Sequence, residues 1–231
     1  MLLKATSAMP WTASPSPSVV RKRLELLGAA ESGRVTSVVR YARDSSFPEH
    51  GHPLGEEIFV LGGDASGEGN GCFSDQTGDF GPGWYILNDE GFAHSPFSKE
   101  GCTIFVKLKQ YSGKKTVRID TNDEGNWKPT GPGVSICELF RDQEGGLSDE
   151  MDLVRIEPEA EMTVPPQPNG LELFVTKGGL DVDGSLVLDK GTWLKHESTT
   201  EPTRLRSSLP SAPVTVYVKK AHLTPAPEGN L

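Results

Sequence analysis

Residues 47–63 of the chain read FPEHGHPLGEEIFVLGG, and this stretch decides the fold. Its first half places His50 and His52 two residues apart, and its second half begins with Glu56 and continues as an apolar run. Residues i and i+2 of a β-strand point to the same face of the sheet. The two imidazoles are therefore expected to face one interior, before Gly55 turns the chain into the next strand.

A third histidine lies in the stretch 78–108, which reads GDFGPGWYILNDEGFAHSPFSKEGCTIFVKL. Here Gly83, Asp89 and Gly91 precede His94 at intervals of five, one and two residues. A His-x-His pair alone also fits an exposed polar strand edge, but the complete pattern favours a metal site. Three neutral imidazoles and one carboxylate suit a divalent transition metal. The expected ligands are His50, His52, Glu56 and His94.

In this order the two stretches resemble the two sequence motifs of the cupin superfamily. The amino-acid sequences of these stretches are similar to those of the ChrR-type cupins. This group includes the C-terminal domain of a zinc-binding anti-sigma factor and stand-alone proteins of the acetylacetone-dioxygenase type. The resemblance implies an all-β fold of small cupin barrels with a metal held by the four residues above. Asp44, Asp89 and Ser98 stand where the motifs usually have Gly, Pro and Asn, and these are turn positions.

The chain also contains an internal duplication. Residues 39–63 and 154–178 align without a gap at a shift of 115 and are identical at eight of 25 positions, with Arg40 facing Arg155. Upstream, Trp11 faces Trp127. We therefore predict two tandem cupin barrels, jelly-roll-like double-stranded β-helices: a metal-binding domain at 1–117 and a degenerate domain at 118–231 without metal ligands.

The duplication separates site residues from scaffold residues. In the second copy His50, His52 and Glu56 become Pro165, Gln167 and Leu171, and His94 falls near Thr200. Glu57 and Phe59 are retained as Glu172 and Phe174. Since all four proposed ligands are lost together while Glu57 is retained, Glu56 rather than Glu57 is expected to bind the metal, and one metal is expected per chain.

Composition excludes several classes of protein. The 231 residues carry a net charge of -9, which argues against nucleic acid as a partner. No apolar run is long enough for a membrane span, and three cysteines provide no disulfide framework, so a cytoplasmic location is expected. The 26 glycines and 18 prolines suit many short strands, and residues 64–82 read as one long polar loop.

The chemistry depends on the coordination number of the ion. Four protein ligands close a tetrahedral zinc site, whereas an octahedral ion keeps two open positions. Fe(II) or Zn(II) is the expected metal, with Mn or Ni as alternatives. Three hypotheses stay open: a metal-dependent dioxygenase (an oxidoreductase) acting on a small anionic or dicarbonyl-type substrate, a metal- or oxidant-sensing regulatory cupin, and a cupin whose metal only stabilises the fold.

Aromatic residues near the motifs are expected to line a substrate pocket. They are Trp84, Tyr85, Phe92 and Phe105. No catalytic acid or base is evident in the sequence. The expected partners are a small organic ligand or substrate and, since cupin edge strands often pair, a second copy of the chain in a homodimer.

Overall fold

Glycine- and proline-rich turns divide the chain into short strands, as the composition predicts. A computed structural model describes residues 1–63, 69–141 and 149–221. Within these ranges no helix is long and apolar enough to cross a membrane.

Two short 3-10 turns, Thr6–Ala8 and Glu124–Asn126, accompany the strands. The strands are β1 (Leu2–Ala5), β2 (Thr12–Ala13), β3 (Val19–Leu27), β4 (Arg34–Tyr41), β5 (Ser45–Ser46), β6 (His50–His52), β7 (Glu56–Gly63), β8 (Phe73–Asp75), β9 (Gly78–Phe80), β10 (Trp84–Asn88), β11 (Phe92–His94), β12 (Phe97–Ser98), β13 (Cys102–Leu108), β14 (Val117–Asp120), β15 (Trp127–Gly131), β16 (Val134–Arg141), β17 (Glu150–Ile156), β18 (Glu161–Val164), β19 (Leu171–Lys177), β20 (Gly179–Val182), β21 (Leu186–Asp189), β22 (Thr192–His196), β23 (Thr203–Ser207) and β24 (Val214–Lys220).

The strands form two compact units. The N-terminal unit is Met9–Asp123, and the C-terminal unit is Met1–Ala8 together with Glu124–Leu231. The sequence placed the division after residue 117, whereas the units divide after Asp123, because β14 pairs with β10. The first eight residues belong to the C-terminal unit because β1 pairs with β22.

The two units have the same topology, which confirms the predicted all-β duplication. The large sheet of the N-terminal unit has the order β14-β10-β7-β13-β4-β3-β2, and that of the C-terminal unit has the order β1-β22-β19-β24-β17-β16-β15. Each strand of one large sheet has a counterpart at the same position in the other large sheet. The edge position that β14 fills in one sheet is filled by β1 in the other.

An aromatic contact is repeated in both units. The guanidinium of Arg40 lies 4.1 Å from the ring centroid of Trp11, and that of Arg155 lies 4.1 Å from the ring centroid of Trp127. Cation–π contacts of this kind stabilise by about 0.5–1 kcal/mol at exposed sites. The residues shared by the two copies therefore serve the common scaffold.

The interiors of the two units differ. The core of the C-terminal unit is a continuous apolar cluster of valines, leucines and one isoleucine. Leu171, which occupies the place of Glu56, is 1% exposed within it. The core of the N-terminal unit is built around Ile58, Val60, Ile104 and other residues and includes more aromatic rings. Hydrocarbon therefore fills, in the C-terminal unit, the space where the N-terminal unit places a carboxylate.

The segment 64–82 is not one long loop, as the sequence suggested. Residues 64–68 lie outside the described residues, and β8 and β9 form a short antiparallel hairpin within the rest. Asp75 closes the hairpin, since its Oδ1 accepts hydrogen bonds from Thr77 N at 2.7 Å and from Thr77 Oγ1 at 2.6 Å. Strands of three residues are too short to show a hydrophobic period, which is why the sequence read as loop.

Candidate metal centre

Two short strands bring the three histidines together. In the β6–β11 pair, His50 is opposite His94 and His52 is opposite Phe92. Opposite residues of an antiparallel pair share a face, as do residues i and i+2 of one strand. The three imidazoles therefore lie on one face, with ring nitrogens within 4.8 Å of one another.

Glu56 joins the histidines from the first position of β7. Its Oε2 lies 3.6 Å from His52 Nε2 and 3.4 Å from His94 Nε2, and the two Nε2 atoms are 3.1 Å apart. Two ligands of one ion, with bonds of about 2.1 Å, lie about 3.0 Å apart at right angles and about 3.4 Å apart in a tetrahedron. The spacing of His52, His94 and Glu56 thus fits a single divalent ion, and His50 adds a third imidazole with a nitrogen within 4.8 Å of the other two.

Hydrogen bonds orient two of the imidazoles through Nδ1. His50 Nδ1 donates to the carbonyl of Pro48 at 2.8 Å, and His94 Nδ1 donates to Asp75 Oδ2 at 3.0 Å. Metal-binding histidines usually donate their second ring nitrogen to such an acceptor, which leaves the other nitrogen free to coordinate. Asp75 was not predicted as a site residue, because it lies in the segment that read as a loop.

Two further residues that the sequence did not predict, Asn88 and Arg118, orient the carboxylate of Glu56. Asn88, opposite Glu56 in the β7–β10 pair, donates from Nδ2 to Glu56 Oε2 at 3.0 Å. Arg118 Nη2 in turn donates to Asn88 Oδ1 at 2.6 Å. The arginine therefore fixes which end of the amide faces the carboxylate. Asn88 ends β10 and Arg118 lies on β14, so their contact depends on strand register.

Burial sets the charge of these groups. It lowers the pKa of His52, and although Glu56 opposes the shift, the pKa stays below its ordinary value. Burial alone would raise the pKa of Asp75, but hydrogen bonds from His94 and Thr77 outweigh it and hold the pKa below its usual range. A neutral imidazole and an ionised partner carboxylate are the forms that metal binding requires.

Three of the four donors lie at a cavity of about 350 Å³ inside the N-terminal unit. His50, His52 and Glu56 line one part of it. Its aromatic lining is Tyr41 and Phe47. Burial, and next the charge of Glu56, raises the pKa of Tyr41 well above its ordinary value, so the phenol stays protonated. The cavity therefore joins a polar donor cluster to an otherwise mostly apolar wall.

The four aromatic residues predicted for the substrate pocket are not among those that line this cavity. Tyr85 and Phe105 alternate with Ile86 and Ile104 of the core cluster and point to the opposite face of the sheet. Trp84 packs against the core, with its ring 5.4 Å from that of Phe80. Sequence proximity to the motif cannot distinguish the two faces of a strand.

The remaining predicted aromatic residue, Phe92, contacts the metal site from the side. Its ring centroid lies 5.3 Å from that of His94. It is opposite His52 in the strand pair and so shares the face of the imidazoles, but it is not among the residues that line the cavity. Phe92 therefore contacts His94, one of the predicted metal ligands.

Gly55 holds the turn between His52 and Glu56. Its φ is 63°, and its N–H donates to the carbonyl of His52 at 3.1 Å. A Cβ at this position would lie 2.4 Å from the carbonyl oxygen of Tyr111. Substitution by alanine must therefore shift the backbone that sets the spacing of the two ligands.

We expect Gly55→Ala to destabilise the protein by about 1–2 kcal/mol through the left-handed conformation alone, with the clash adding to this cost. Metal affinity should fall as well, because Glu56 moves relative to His52. The matched control is Gly51→Ala, since a Cβ at Gly51 meets nothing within 4 Å. Urea unfolding and metal titration measure both effects, and equal behaviour of the two variants would contradict this role of the turn.

Comparison with known proteins identifies the family. Residues 1–112 match the family described as the ChrR cupin-like domain. No curated protein is similar enough in sequence to count as a match.

Solved structures share the fold of the whole chain. YlbA from Escherichia coli superposes with a TM-score of 0.67 and 12% identity, covering 97% of this chain and 92% of that one. A protein from Nostoc punctiforme, proposed to be a dioxygenase, gives a TM-score of 0.67, 16% identity and coverage of 97% and 84%. A variant of oxalate decarboxylase OxdC from Bacillus subtilis gives a TM-score of 0.63, 11% identity and coverage of 98% and 78%.

These identities are too low to transfer an activity, but the fold, the motifs and the family match agree. The double-barrel architecture extends over both units, and the His cluster able to bind a metal lies within the matched residues. Residues 1–112 therefore belong to the family of the ChrR cupin-like domain, and the whole chain shares its fold with the solved structures above.

Proposed function

We propose that the N-terminal unit binds one divalent transition metal through His50, His52, Glu56 and His94 and acts as a metal-dependent dioxygenase on a small anionic or dicarbonyl-type organic substrate. The observation that supports this most strongly is the convergence of three imidazoles and one carboxylate, of which His50, His52 and Glu56 line a cavity of about 350 Å³. Pockets for small organic ligands begin at about 300 Å³.

The donor set favours an anionic ligand. Three neutral imidazoles and one carboxylate leave a net charge of +1 on a divalent ion. When bound, the metal supplies a Lewis acid and a template for a bidentate oxygen ligand such as an enolate. His50, His52 and Glu56 line the cavity, so a ligand inside it can approach the ion from that side.

The chain's own residues keep the site dry and fixed. His94 is 1% exposed and His52 is 6% exposed, so both imidazoles are largely shielded from solvent. Asp75 and Asn88 hold the orientation of His94 and Glu56. Apolar side chains such as Val39, Ile104 and Val106 also line the cavity, which suits the carbon skeleton of a small substrate.

The structural neighbours are compatible with this proposal. The Nostoc protein is itself proposed to be a dioxygenase, and OxdC is an oxalate decarboxylase. Both share the fold of this chain at 16% identity or less. Their names therefore suggest a class of small organic substrates and leave the reaction to be tested.

The test combines metal analysis with oxygen uptake. Metal-free protein is loaded with Fe(II), Mn(II), Ni(II) or Zn(II), and we expect one ion per chain. With Fe(II) or another open-coordination metal, the protein should consume O2 with β-dicarbonyl compounds, and both oxygen atoms should appear in the products. Stoichiometric zinc that resists exchange, with no oxygen uptake across the substrate panel, would contradict the enzymatic proposal.

A second candidate function is a metal- or oxidant-sensing regulatory cupin, favoured by the family match to ChrR. Thiol chemistry offers little support for oxidant sensing. Burial raises the pKa of Cys102 to about 12 and that of Cys137 to about 11, and it also raises the pKa of Cys72. Because thiolates are the reactive form, such a sensor would depend on the metal itself, and zinc release by oxidant would be its signature.

A further inference from the structure

A basic cluster lies in the same cavity as the predicted metal ligands. Arg21 and Arg23 occupy alternate positions of β3, so both point to one face, and both line the cavity. Ser37 of β4, opposite Arg23 in the strand pair, lines it as well. We call these three residues the arginine end. None of them takes part in the metal centre described above.

The arginine end has unused hydrogen-bonding capacity. Arg21 Nε, Arg23 Nε and Ser37 Oγ are buried, and none of the described residues provides a partner for them. Ser37 is 2% exposed. Buried polar atoms are almost always paired, and an exception calls for a ligand or water. Two donors and a hydroxyl that converge on one cavity suit an oxyanion.

A carboxylate of the protein already occupies the outer side of the arginines. Glu31, on the turn between β3 and β4, accepts from Arg21 Nη1 at 3.0 Å and from Arg21 Nη2 at 2.6 Å. Arg23 Nη2 donates to Glu31 Oε1 at 2.8 Å. The Glu31 side chain is 55% exposed, so this ion pair is weakly held. Its two-pronged geometry is that of arginine with a carboxylate.

We propose that the arginine end binds a carboxylate group of the substrate, so that the cavity takes a small molecule with a metal-chelating end and a carboxylate end. The substrate carboxylate either replaces Glu31 on the guanidiniums or binds the inner Nε donors and Ser37. The proposal deepens the proposed function and rests on it for the metal end only.

The spacing of the two ends limits the size of the molecule. Glu56 lies on β7, and β13, β4 and β3 follow it in the sheet, so three strand spacings separate the two ends. At about 4.8 Å each this is about 14 Å along the sheet. A molecule that bridges both ends therefore has an extended skeleton, whereas a short dicarboxylate reaches the arginine end alone.

The charge of the lining agrees with this assignment. Apart from the histidines, the charged residues of the cavity lining are Arg21, Arg23, Lys109, Glu31 and Glu56. If Glu31 turns outward, the cations outnumber the carboxylates by two. A divalent metal would add to this excess, so a dianionic substrate would be neutralised at both ends.

The experiment measures binding to metal-free protein, which separates it from the proposed function. Glutarate, a dicarboxylate with no carbonyl to chelate a metal, is titrated calorimetrically into the full chain. We expect saturable binding that weakens about tenfold or more in Arg21→Gln and in Arg23→Gln, since each loses a charge-assisted hydrogen bond. Glu31→Gln should bind about two- to fivefold more tightly, because the competing surface ion pair is removed.

Two controls locate the effect. Arg34→Gln removes an arginine of β4 that donates to Gln110 and is not among the residues lining the cavity, so glutarate binding should not change. His52→Ala should lose metal and keep glutarate binding. This pair of results separates failure of the arginine end from failure of the metal site.

Three outcomes would overturn the inference: no saturable glutarate binding to wild-type protein, unchanged affinity in both arginine variants, or tighter binding of inorganic phosphate than of glutarate. Glu31 is exposed, so the Glu31→Gln variant is expected to fold. Its predicted gain in glutarate affinity tests the inference even where an arginine variant fails to fold.

Discussion

Replacing His94 with alanine is expected to weaken divalent metal binding by about 100- to 1000-fold. Four-ligand zinc sites have apparent binding free energies of about 10–16 kcal/mol, or about 3–4 kcal/mol per ligand, which corresponds to this factor. The Nε2 of His94 is 3.1 Å from that of His52 and 3.4 Å from Glu56 Oε2, so it is central to the cluster. Competition titration with a chromogenic chelator measures the change.

His94→Ala also leaves a buried carboxylate, Asp75, without its imidazole partner. The metal-free variant should therefore unfold at lower urea concentration than wild type. His50→Ala provides a second variant without this complication, because His50 is only half-buried and donates to a backbone carbonyl. His196→Ala, in the C-terminal unit, is the matched control. Metal affinity within threefold of wild type in both ligand variants would contradict the site.

Replacing Asp75 with asparagine is expected to lower metal affinity by about 10–100-fold, the usual cost of losing the acceptor behind a metal-binding histidine. Asp75 Oδ2 accepts from His94 Nδ1 at 3.0 Å and fixes the ring with Nε2 toward the cluster. An asparagine amide keeps the size of the side chain but removes its charge. The substitution can also present a donor to Nδ1 and so favour the wrong tautomer.

The Asp75→Asn substitution should lower metal affinity with little loss of stability. The side-chain oxygen of asparagine can accept the same hydrogen bonds from Thr77 as Asp75 Oδ1 does. Asp79→Asn, on the exposed side of the same hairpin, is the matched control and should bind metal like wild type. If Asp75→Asn and Asp79→Asn have the same metal affinity, Asp75 does not position His94.

Much of the fold could be predicted from the sequence because the chain is duplicated. Two copies of one pattern mark the strands that both units need, and the order of strands in the two large sheets agrees. The place of β1 could not be predicted. Its four residues pair with β22 of the C-terminal unit, nearly 190 residues away, and no local pattern records such a pairing.

The site was predictable where its residues share a strand or a fixed spacing. His50 and His52 share a face through the period of two, and the motif spacing placed His94 with them. Asp75, Asn88 and Arg118 depend on strand register and on a hairpin of very short strands, which the sequence shows only as polar residues near turns. The aromatic lining of the cavity was missed as well, since Tyr41 lies outside the motif and no spacing connects Phe47 with the predicted ligands.

The role of Arg21 and Arg23 also became visible only in the structure. In the sequence they are two of several basic residues in the first copy. Their inward direction follows from the pairing of β3 with β4, where Arg21 is opposite Val39 and Arg23 is opposite Ser37. Charges that face the interior of a barrel therefore mark a ligand contact that composition alone does not reveal.

The most direct test of the metal site is an anomalous difference map from crystals of the metal-loaded chain, recorded at the absorption edge of the loaded ion. We expect one strong peak per chain, in contact with His50, His52, His94 and Glu56. A map with no peak among these four side chains, or with its strongest peak in the C-terminal unit, would contradict the metal centre and the function proposed from it.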